Sequence, residues 1–478
     1  MYESEGLFID GRWRKSADGS TLSVVDPATE ETLGVIPDAS EADLDDALHG
    51  ALRAFEAWRA VPGHQRAGCL RAIADRVRES ADAIARQITL EMGKPLAEAK
   101  AEVSAAADQF EWNGEEAKRI YGQLLDGRTR EATYSVRFEP VGVVAAFTPW
   151  NFPVLLPARK IAAALAAGCS VVIKPSEEAP GATFALAKIA DEVGLPPGTL
   201  QVVTGEPARI SAHLIAAPAV RKLTFTGSVP VGKHLMRLAA EGLKKVSLEL
   251  GGHAPVIVFD DVDVERAAEA CARGKFRNAG QVCVSPSRFF VHRSLVGRFG
   301  ETFAGVARSL RVGSGLDPDV DMGPLANLRR LQAARELCDD SLARGATRLA
   351  GDERDDLPKR GNFFPPTVLT DVPAEARILR DEPFVPVAPI LVFDEFDEVI
   401  ARANALPYGL AAYVFTDRLR TARLAAEALE VGMVGINDLV IAAAEIPFGG
   451  VKESGIGRES GTLGIREFLE PKTVKTAI

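Results

Sequence analysis

Cysteine is scarce in this sequence, and no two cysteines lie close together. The 478 residues contain five, widely spaced and without any C-x-x-C pair. An odd number at such spacings argues against a disulfide framework and against a zinc site, so we expect no bound metal. We expect reduced thiols, which are typical of a reducing compartment.

Long hydrophobic runs and basic blocks are also missing. The longest apolar stretch, IAAALAAGCSVVI at 161–173, is too short to cross a bilayer, and no basic region followed by an apolar run stands near residue 1. The formal net charge is −10, with no compensating cluster of Lys and Arg. This argues against nucleic acid or an anionic membrane as a partner. We therefore expect a soluble cytoplasmic protein that binds small molecules.

What the sequence does contain is a regular alternation of two kinds of segment. From 170 to 260, short apolar runs such as SVVIKP and LQVVTG alternate with helical patterns such as GATFALAKIADEV, and a similar alternation runs from about 254 to 450. This pattern predicts βαβ units and parallel sheets, with ligands near the carboxyl ends of the strands. Because the chain is too long for one ordinary core, we predict an α/β fold of two lobes with a cleft between them.

One cysteine lies in a segment without helical or strand periodicity. Cys283 is part of FRNAGQVCVSP at 276–286, whereas the other four lie in helical or strand patterns, at Cys69, Cys169, Cys271 and Cys338. A thiol reacts as thiolate, which requires partial exposure and a polar setting. Cys283 is therefore the candidate nucleophile, and this segment alone leaves open that it is a packing residue.

Three further motifs place polar groups at the ends of predicted strands. Glu249 in LELGG is suited to act as a general base, although a pairing with a lysine would also explain it. Asn151 in FTPWNFP lies between two prolines that stiffen its loop, so its amide is either an oxyanion donor or an ordinary turn residue. Gly227 and Ser228 in FTGSVPVG join a strand to a helix whose first N–H groups can bind a phosphate.

Taken in order, the motifs TPWNFP, IKPSE, FTGSVPVG, LELGG, GQVC, DEPFVPV and PFGGVKESGIGRE resemble those of NAD(P)-dependent aldehyde dehydrogenases, most of all the succinate semialdehyde dehydrogenase branch. The resemblance covers nearly the whole chain. It implies a Rossmann-like cofactor domain at 1–120 and 140–250, an α/β catalytic domain at 251–450, and a small β oligomerisation arm at 121–139 and 465–478. It also implies a homodimer or homotetramer.

The resemblance implies a role for each candidate. Cys283 would attack the aldehyde carbonyl, and the Asn151 amide would hold the oxyanion of the thiohemiacetal. After hydride transfer, Glu249 would activate the water that hydrolyses the thioester, with Lys160 and Glu459 relaying protons near it. A cysteine hydrolase or esterase is the alternative outside the oxidoreductases. That alternative ordinarily needs a histidine beside the thiol, and it explains neither FTGSVPVG nor KPSE.

The resemblance further implies contacts to the cofactor by Trp150, Lys174, Glu177, Gly227, Ser228, Glu382 and Phe384. A carboxylate at Glu177 accepts hydrogen bonds from the adenosine ribose hydroxyls and repels a 2′-phosphate, so we predict NAD rather than NADP. Glu382 and Phe384 match residues that hold the nicotinamide ribose and ring. The chain departs from the family pattern at Val385, where the family usually has Gly.

Two arginines in apolar surroundings point to the substrate. A guanidinium binds a carboxylate through two parallel hydrogen bonds, and Arg159 and Arg277 match positions that hold the distal carboxylate in succinate semialdehyde dehydrogenases. Phe448 is assigned to the same pocket. We therefore predict an ω-carboxylated semialdehyde, with succinate semialdehyde first and glutarate or 2-oxoglutarate semialdehyde next. The segment 442–444 is Ala-Ala-Ala where that branch carries a serine, which keeps an uncharged aliphatic or aromatic aldehyde as an alternative.

Overall fold

The computed structural model describes residue 2, residues 6–352 and residues 356–477. Residues 1, 3–5 and 478 fall within the predicted cofactor domain and arm, and 353–355 fall within the predicted catalytic domain. These eight positions lie outside the described residues.

The described residues form twenty strands. In chain order they are β1 (Leu7–Ile9), β2 (Arg12–Arg14), β3 (Thr21–Val25), β4 (Thr32–Pro37), β5 (Gln123–Asp126), β6 (Ala132–Pro140), β7 (Val143–Phe147), β8 (Ser170–Lys174), β9 (Leu200–Val202), β10 (Val220–Thr226), β11 (Lys245–Glu249), β12 (Ala254–Val258), β13 (Pro286–His292), β14 (Thr347–Ala350), β15 (Thr367–Thr370), β16 (Val387–Phe393), β17 (Ala411–Phe415), β18 (Met433–Ile436), β19 (Gly455–Ile456) and β20 (Leu469–Ala477).

Fourteen α-helices accompany these strands in the same part of the chain. They are α1 (Glu41–Trp58), α2 (Gly63–Glu79), α3 (Ala81–Met92), α4 (Leu96–Ala117), α5 (Leu155–Ala167), α6 (Gly181–Glu192), α7 (Pro207–Ala216), α8 (Val229–Glu241), α9 (Val264–Phe276), α10 (Val296–Ser309), α11 (Leu328–Ala343), α12 (Phe396–Asn404), α13 (Leu419–Ala428) and α14 (Gly461–Arg466). Within the described ranges, no helix combines the length and the apolar composition that crossing a membrane requires.

The first sheet has eight strands in the order β19-β11-β10-β7-β8-β9-β1-β2. The five from β11 to β9 are parallel to one another, and β19 and β1 flank them in the antiparallel direction. Strands β7 and β8 are buried along their whole length, as expected for a parallel sheet covered on both faces by helices. Val144 and Ala146 pack in one core with residues of α5, and Val143 and Ala145 pack in another with residues of α1.

A second sheet of seven strands has the order β14-β15-β16-β13-β12-β17-β18, parallel except for β14. Helices α9, α10 and α11 contribute to its core, which includes Phe289, Phe299 and Phe303. The chain therefore builds two parallel α/β units in succession, the alternation that the sequence predicts.

A smaller antiparallel sheet joins β20, β6 and β5. Strand β20 pairs with β6 along nine residues, from Leu469 opposite Pro140 to Ala477 opposite Ala132. All residues of β20 after Leu469 are exposed. This three-stranded sheet therefore presents a long, solvent-facing ribbon.

Candidate active site

A cavity of about 690 Å³ opens at the carboxyl edge of the first sheet. Its wall includes the last residues of four strands, Phe147, Lys174, Thr226 and Glu249. Cys283, from the segment before β13, lines it as well. Doubly wound α/β folds bind their ligands at this edge, and pockets for small-molecule ligands have volumes of about 300–1,000 Å³. The position and the size of the cavity suit a dinucleotide-type ligand.

The turn before Cys283 has an uncommon backbone. Asn278, Ala279 and Gly280 are all left-handed, with φ of 49°, 52° and 75°. Non-glycine residues disfavour this region, and such strain clusters at functional sites. Gly280 also lacks room for a side chain, because a Cβ there would lie 2.4 Å from the carbonyl oxygen of Val385. The turn thus fixes the approach of the chain to Cys283.

Cys283 is partly exposed as a residue and lines the cavity. Burial raises the pKa of Cys283 to about 12; Arg159 opposes this rise, and Glu249 and Glu382 add to it. The thiol of the free protein is therefore protonated at neutral pH, and a base must remove the proton before sulfur attacks a carbonyl. The other four cysteines do not line this cavity.

Asn151 lies across from the same turn and is 3% exposed. Its side-chain amide donates a hydrogen bond of 3.1 Å to the carbonyl of Gln281. Its own carbonyl accepts hydrogen bonds from Lys94 Nζ at 2.8 Å and from Asn278 Nδ2 at 3.1 Å. A side-chain amide has two N–H donors, so the second remains for an oxygen in the cavity that Asn151 lines.

A buried ion pair that the sequence analysis missed supports the Asn151 loop. Lys94 Nζ lies 2.5 Å from Glu102 Oε2, and both side chains are 1% exposed. The other oxygen of Glu102 accepts the N–H groups of Val154 and Leu155 where α5 begins. The sequence signal was a lysine followed by Pro95 at a helix start, which is too common to indicate a site.

Glu249 ends β11, is 4% exposed, and has one carboxyl oxygen without a hydrogen-bond partner among the described residues. Burial raises the pKa of Glu249 well above its usual value, the nearby Glu459 raises it further, and Lys160 opposes the rise. Because its pKa is raised, the ionised carboxyl group of Glu249 is a stronger base than an exposed one. Gly449 comes so close that a Cβ there would lie 2.6 Å from Glu249 Oε1.

Lys160 on α5 and Glu459 form a buried ion pair, with side-chain exposures of 0% and 7%. The second oxygen of Glu459 has no partner within the described part of the chain. The pair lies close enough to Glu249 for both charges to affect its pKa. The structure thus brings together the three groups that the sequence analysis assigned to proton transfer.

The N-terminus of α8 faces the cavity through Gly227, Ser228 and Val231. Ser228 is the N-cap residue, but its hydroxyl makes no capping hydrogen bond. A Cβ at Gly227 would lie 2.2 Å from the ring of Phe225, so a side chain does not fit there. Free N–H groups and a free hydroxyl at a helix N-terminus suit a phosphate, which is the function predicted for this segment.

Lys174 and Glu177 lie together on the cavity wall, with Lys174 Nζ 2.8 Å from Glu177 Oε2. The same amine donates to the carbonyl of Pro175 at 2.9 Å. Glu178 also lines the cavity but is bound to Arg329 at 2.6 Å and to Asn327. The carboxylate of Glu177, held by one partner, is therefore the one with oxygen lone pairs to spare.

Glu382, Phe384 and Trp150 form the opposite part of the wall. Glu382 accepts the N–H of Gly252 at 3.1 Å, and burial raises the pKa of Glu382 to about 7. The Phe384 ring meets the Trp150 ring edge-on, at 5.7 Å between centroids, and Phe384 has φ of 49°. Val385, where the family usually has Gly, points into the core of the second lobe and is 0% exposed, so this difference does not narrow the cavity.

Arg330 is a further cavity residue that the sequence analysis did not identify. It lines the wall at the start of α11, and its charge lowers the pKa of Glu382. Its guanidinium has no ion pair with any carboxylate of the described chain. A cation in this position fits an anionic group of the ligand. In the sequence it was one of two adjacent arginines in a polar helix, which gave no signal.

Arg159 is buried next to the catalytic candidates. It is 4% exposed, and its charge acts on the pKa of both Cys283 and Glu249. Its guanidinium carbon lies 4.1 Å from the centre of the Phe448 ring. No hydrogen bond or ion pair of its side chain to the described residues is formed, and its Nε is buried without a partner. A buried cation without an anion is costly, which points to an anionic ligand here.

Arg277 is exposed at the end of α9, with its guanidinium carbon 5.7 Å from the centre of the Phe152 ring. It forms no ion pair with a carboxylate in the described ranges. Neither Arg277 nor Arg159 nor Phe448 lines the large cavity. Of these three residues, Arg159 lies close enough to Cys283 for its charge to affect the pKa of that thiol.

A model of the aldehyde dehydrogenase family matches residues 13–474. Together with the parallel sheet and the cavity at its carboxyl edge, this match makes the protein an NAD(P)-dependent α/β oxidoreductase. The chain belongs to the aldehyde dehydrogenase family, whose members use NAD(P). The resemblance inferred from the motifs is therefore confirmed, together with the predicted aldehyde dehydrogenase activity.

Several relatives align along almost their whole length. The chain is 47% identical to the putative 4-(hydroxymethyl)benzenesulfonate dehydrogenase TsaD2 of Comamonas testosteroni, over 99% of this chain and 98% of that protein. It is 44% identical to the succinate-semialdehyde dehydrogenase [NADP(+)] GabD of Escherichia coli, over 99% and 97%. It is 43% identical to a glutarate-semialdehyde dehydrogenase of Pseudomonas aeruginosa, over 97% and 96%.

Solved structures agree with the fold. An E. coli NADP-dependent enzyme superposes with a TM-score of 0.97 at 43% identity, covering 99% of this chain and 98% of that one. A betaine aldehyde dehydrogenase from Staphylococcus aureus in complex with NAD+ gives 0.96 at 36% identity, covering 99% and 94%. The predicted α/β aldehyde dehydrogenase fold is confirmed, whereas the domain boundaries and the roles of single residues stay predictions.

Proposed function

We propose that the chain oxidises aldehydes that carry an anionic group far from the carbonyl, with succinate semialdehyde as the representative substrate and NAD as the oxidant. The observation that carries this proposal is Arg159, a buried guanidinium with no anionic partner in the described chain. An anionic group of the substrate would pair with this guanidinium. The aldehyde end of the same substrate could then reach Cys283, because Arg159 lies close enough to Cys283 to affect the pKa of the thiol.

The names of the relatives support an anionic substrate. The TsaD2 protein is named for a benzenesulfonate, and GabD and the Pseudomonas protein are named for semialdehydes of dicarboxylic acids. These compounds carry a sulfonate or a carboxylate group, and a guanidinium binds the oxygens of such an anion through paired hydrogen bonds. Residues 442–444 are alanines where the succinate semialdehyde branch carries a serine, so we assign the recognition of the anion to the arginines.

The first half of the proposed reaction uses Cys283, Glu249 and Asn151. Glu249 takes the thiol proton, directly or through a water, and the Cys283 sulfur then bonds to the aldehyde carbon. The carbonyl oxygen becomes an oxyanion, to which the free N–H of Asn151 donates. Bound NAD(P) would supply the acceptor for the hydride of this carbon, and Cys283 would then carry the acyl group as a thioester.

The second half is hydrolysis of the thioester. Once Glu249 has released the thiol proton to solvent, its carboxylate removes a proton from a water molecule as the water oxygen bonds to the acyl carbon, and the carbon–sulfur bond then breaks to release the acid and the Cys283 thiolate. The raised pKa of Glu249 makes this carboxylate a stronger base than an exposed one. Lys160 and Glu459 support the proton transfers by holding charge next to it.

The preference for NAD over NADP rests on Glu177. Its carboxylate lies on the cavity wall just after the carboxyl end of β8. There it would accept hydrogen bonds from the hydroxyls of a ribose and would repel a 2′-phosphate. GabD is named for NADP(+). The proposed preference for NAD therefore rests on Glu177 of this chain and is not taken from GabD.

The three-stranded sheet of β5, β6 and β20 supports the predicted assembly. Leu124 is 81% exposed and Tyr121 is 74% exposed beside it. Apolar side chains on an exposed ribbon edge are typical of a surface that another copy covers. We propose a homodimer or homotetramer, which light scattering of the purified protein distinguishes from a monomer.

A matched panel of aldehydes tests the proposed substrate class. Succinate semialdehyde is compared with butanal, and 4-sulfobenzaldehyde with benzaldehyde, so that each pair differs by the anionic group. We expect kcat/KM to be at least about tenfold higher for the anionic member, since a charge-assisted hydrogen bond contributes about 1.5–3 kcal/mol. Equal values within both pairs would refute the proposal, and the ratio between pairs decides whether the carboxylate or the sulfonate is preferred.

A further inference from the structure

A row of polar side chains runs along a buried face of the first sheet beneath Glu249. On β10 these are Lys222, Thr224 and Thr226, and on β11 they are Ser247 and Glu249, all at most 6% exposed. The register places Thr224 beside Ser247 and Thr226 beside Glu249, so the five side chains share one face. Central parallel strands are normally apolar on both faces, and this face therefore departs from what the fold alone requires.

The end of the row away from the cavity is a chain of donors. Lys222 Nζ donates to Ser247 Oγ at 2.5 Å, and Ser247 Oγ donates to Glu467 Oε2 at 3.1 Å. Lys222 is fully buried, whereas the Glu467 side chain is 24% exposed. This chain therefore starts in the core and ends at a carboxylate that water can reach.

The end of the row near the cavity consists of groups with spare hydrogen-bonding capacity. Thr224 Oγ1, Thr226 Oγ1 and Glu249 Oε2 are buried and have no partner among the residues described. Buried polar groups of this kind are usually bound to ordered water. Neighbouring same-face side chains along a strand start about 6.6 Å apart, at 3.3 Å per residue, a gap that one bridging water spans.

We propose that this row, Glu249, Thr226, Thr224, Lys222, Ser247 and Glu467, conducts the proton released in thioester hydrolysis to solvent while the dinucleotide fills the cavity. Glu249 also lines the cavity. A ligand that fills the cavity would block the release of the proton in that direction. The proposal rests on the proposed function of Glu249 as the base. Lys222 is a positioning and relay residue, since it acts through Glu249 and contacts no reacting atom.

The proton balance is simple. The attacking water gives one proton to the Glu249 carboxylate as its oxygen bonds to the acyl carbon, and the Cys283 thiolate leaves. The protonated Glu249 then passes its proton through the hydroxyls of Thr226 and Thr224 and their waters to the Lys222 amine. The Lys222 ammonium passes a proton through the Ser247 hydroxyl to Glu467, which releases it to solvent.

The charges around Lys222 suit this function. Burial lowers the pKa of Lys222 to about 7; Glu467 and Cys169 oppose this shift, and Lys245 on β11 and Lys160 on α5 add to it. An amine with such a pKa takes up and releases a proton near neutral pH. Lys160 also connects the row electrostatically to the ion pair beside Glu249.

The test uses Lys222→Met, with Lys275→Met as the matched control. Lys275 is an equally buried lysine of the second lobe, without a hydrogen-bond partner in the described chain, and burial also lowers the pKa of Lys275 to about 7. The probe is p-nitrophenyl acetate, which acylates the thiol without needing a cofactor. The nitrophenolate burst reports acylation of Cys283, and the steady rate reports hydrolysis, each measured with and without saturating NAD.

We expect the Lys222→Met steady rate to match the wild type without NAD and to be at least about tenfold slower with it, since proton transfer by a positioned group contributes roughly 10²–10⁴-fold. The Lys275→Met rates should match the wild type in both conditions. Equal slowing in both conditions, or none in either, overturns the proposal. If Lys222→Met does not fold, Ser247→Ala is expected to show the same dependence on NAD. Absence of a burst in the wild type would instead contradict the function of Cys283.

Discussion

The side-chain amide of Asn151 donates a hydrogen bond of 3.1 Å to the carbonyl of Gln281, 130 positions further along the chain. Gln281 is two residues before Cys283, so this bond joins a loop of the first lobe to the turn that carries the thiol. The backbone N–H of Ala326 donates to the Gln281 side chain at 3.0 Å and fixes that turn from the other side. The candidate oxyanion donor and the candidate nucleophile are therefore held in place before a substrate arrives, as electrostatic preorganisation requires.

Removal of the Asn151 amide should slow catalysis without abolishing it. We expect Asn151→Ala to lower kcat by about 10²–10³-fold, the usual effect of losing one oxyanion donor, with little change in KM. The measurement is steady-state formation of the reduced dinucleotide. As a control, Ser285→Ala changes a hydroxyl near Cys283 that is bonded to the carbonyl of Pro286 and should leave kcat within twofold. An Asn151→Ala enzyme with the wild-type kcat would rule out the oxyanion function.

Replacing only Lys94 of the Lys94–Glu102 pair should destabilise the protein more than replacing both residues. We expect Lys94→Met to lower the unfolding free energy by about 3–5 kcal/mol, because it leaves the Glu102 charge buried and unpaired. The double variant Lys94→Met, Glu102→Gln should recover part of that loss. Urea unfolding followed by circular dichroism measures both, and a double variant less stable than the single one would contradict this explanation.

The motifs could indicate the active-site candidates because each candidate lies at the end of a strand or within a loop that its own neighbours define. Glu249 follows an apolar strand, and Gly227 and Ser228 precede a helix, so local pattern was enough. The Lys94–Glu102 pair was not predictable, since its importance comes from contacts to residues 151–155, far along the chain. The alternating polar residues of β10 are visible in RKLTFTGS. The sequence does not predict that they are buried, because their burial depends on how α5 packs against the sheet.

Replacement of Glu177 should change the preference between cofactors. We expect the wild type to have the higher kcat/KM with NAD, and Glu177→Ser to lower the NAD value and raise the NADP value, shifting their ratio by about tenfold or more, because a carboxylate near a phosphate is repulsive. Glu178→Gln is the control, since that neighbouring carboxylate already binds Arg329. Both variants are assayed with the same aldehyde at saturation, and an unchanged ratio in Glu177→Ser would exclude its predicted function.

Binding of the dinucleotide should depend on pH through Glu382. Burial raises the pKa of Glu382 to about 7, so the carboxyl is protonated below pH 7 and ionised above it. If the carboxylate accepts hydrogen bonds from a ribose, affinity rises from pH 6 to pH 8, by at most about tenfold per pH unit for one linked proton. Calorimetric titration with NAD measures the trend. Glu382→Gln should flatten it, whereas His234→Gln, on the same cavity wall, should not.

Arg277 gives the sharpest test of substrate recognition because it is exposed, so its loss should not disturb folding. We expect Arg277→Ala to raise KM for succinate semialdehyde by about 10–100-fold, since a hydrogen bond to a charged group contributes about 1.5–3 kcal/mol, and to raise KM for butanal less than threefold. Arg273→Ala removes an exposed arginine from the last turn of the same helix and should affect neither substrate. Equal increases for both aldehydes in Arg277→Ala would mean that the guanidinium shapes the pocket and does not bind the carboxylate. Arg159 is still present in Arg277→Ala. Any preference for the anionic substrate that remains in this variant therefore measures what Arg159 contributes by itself.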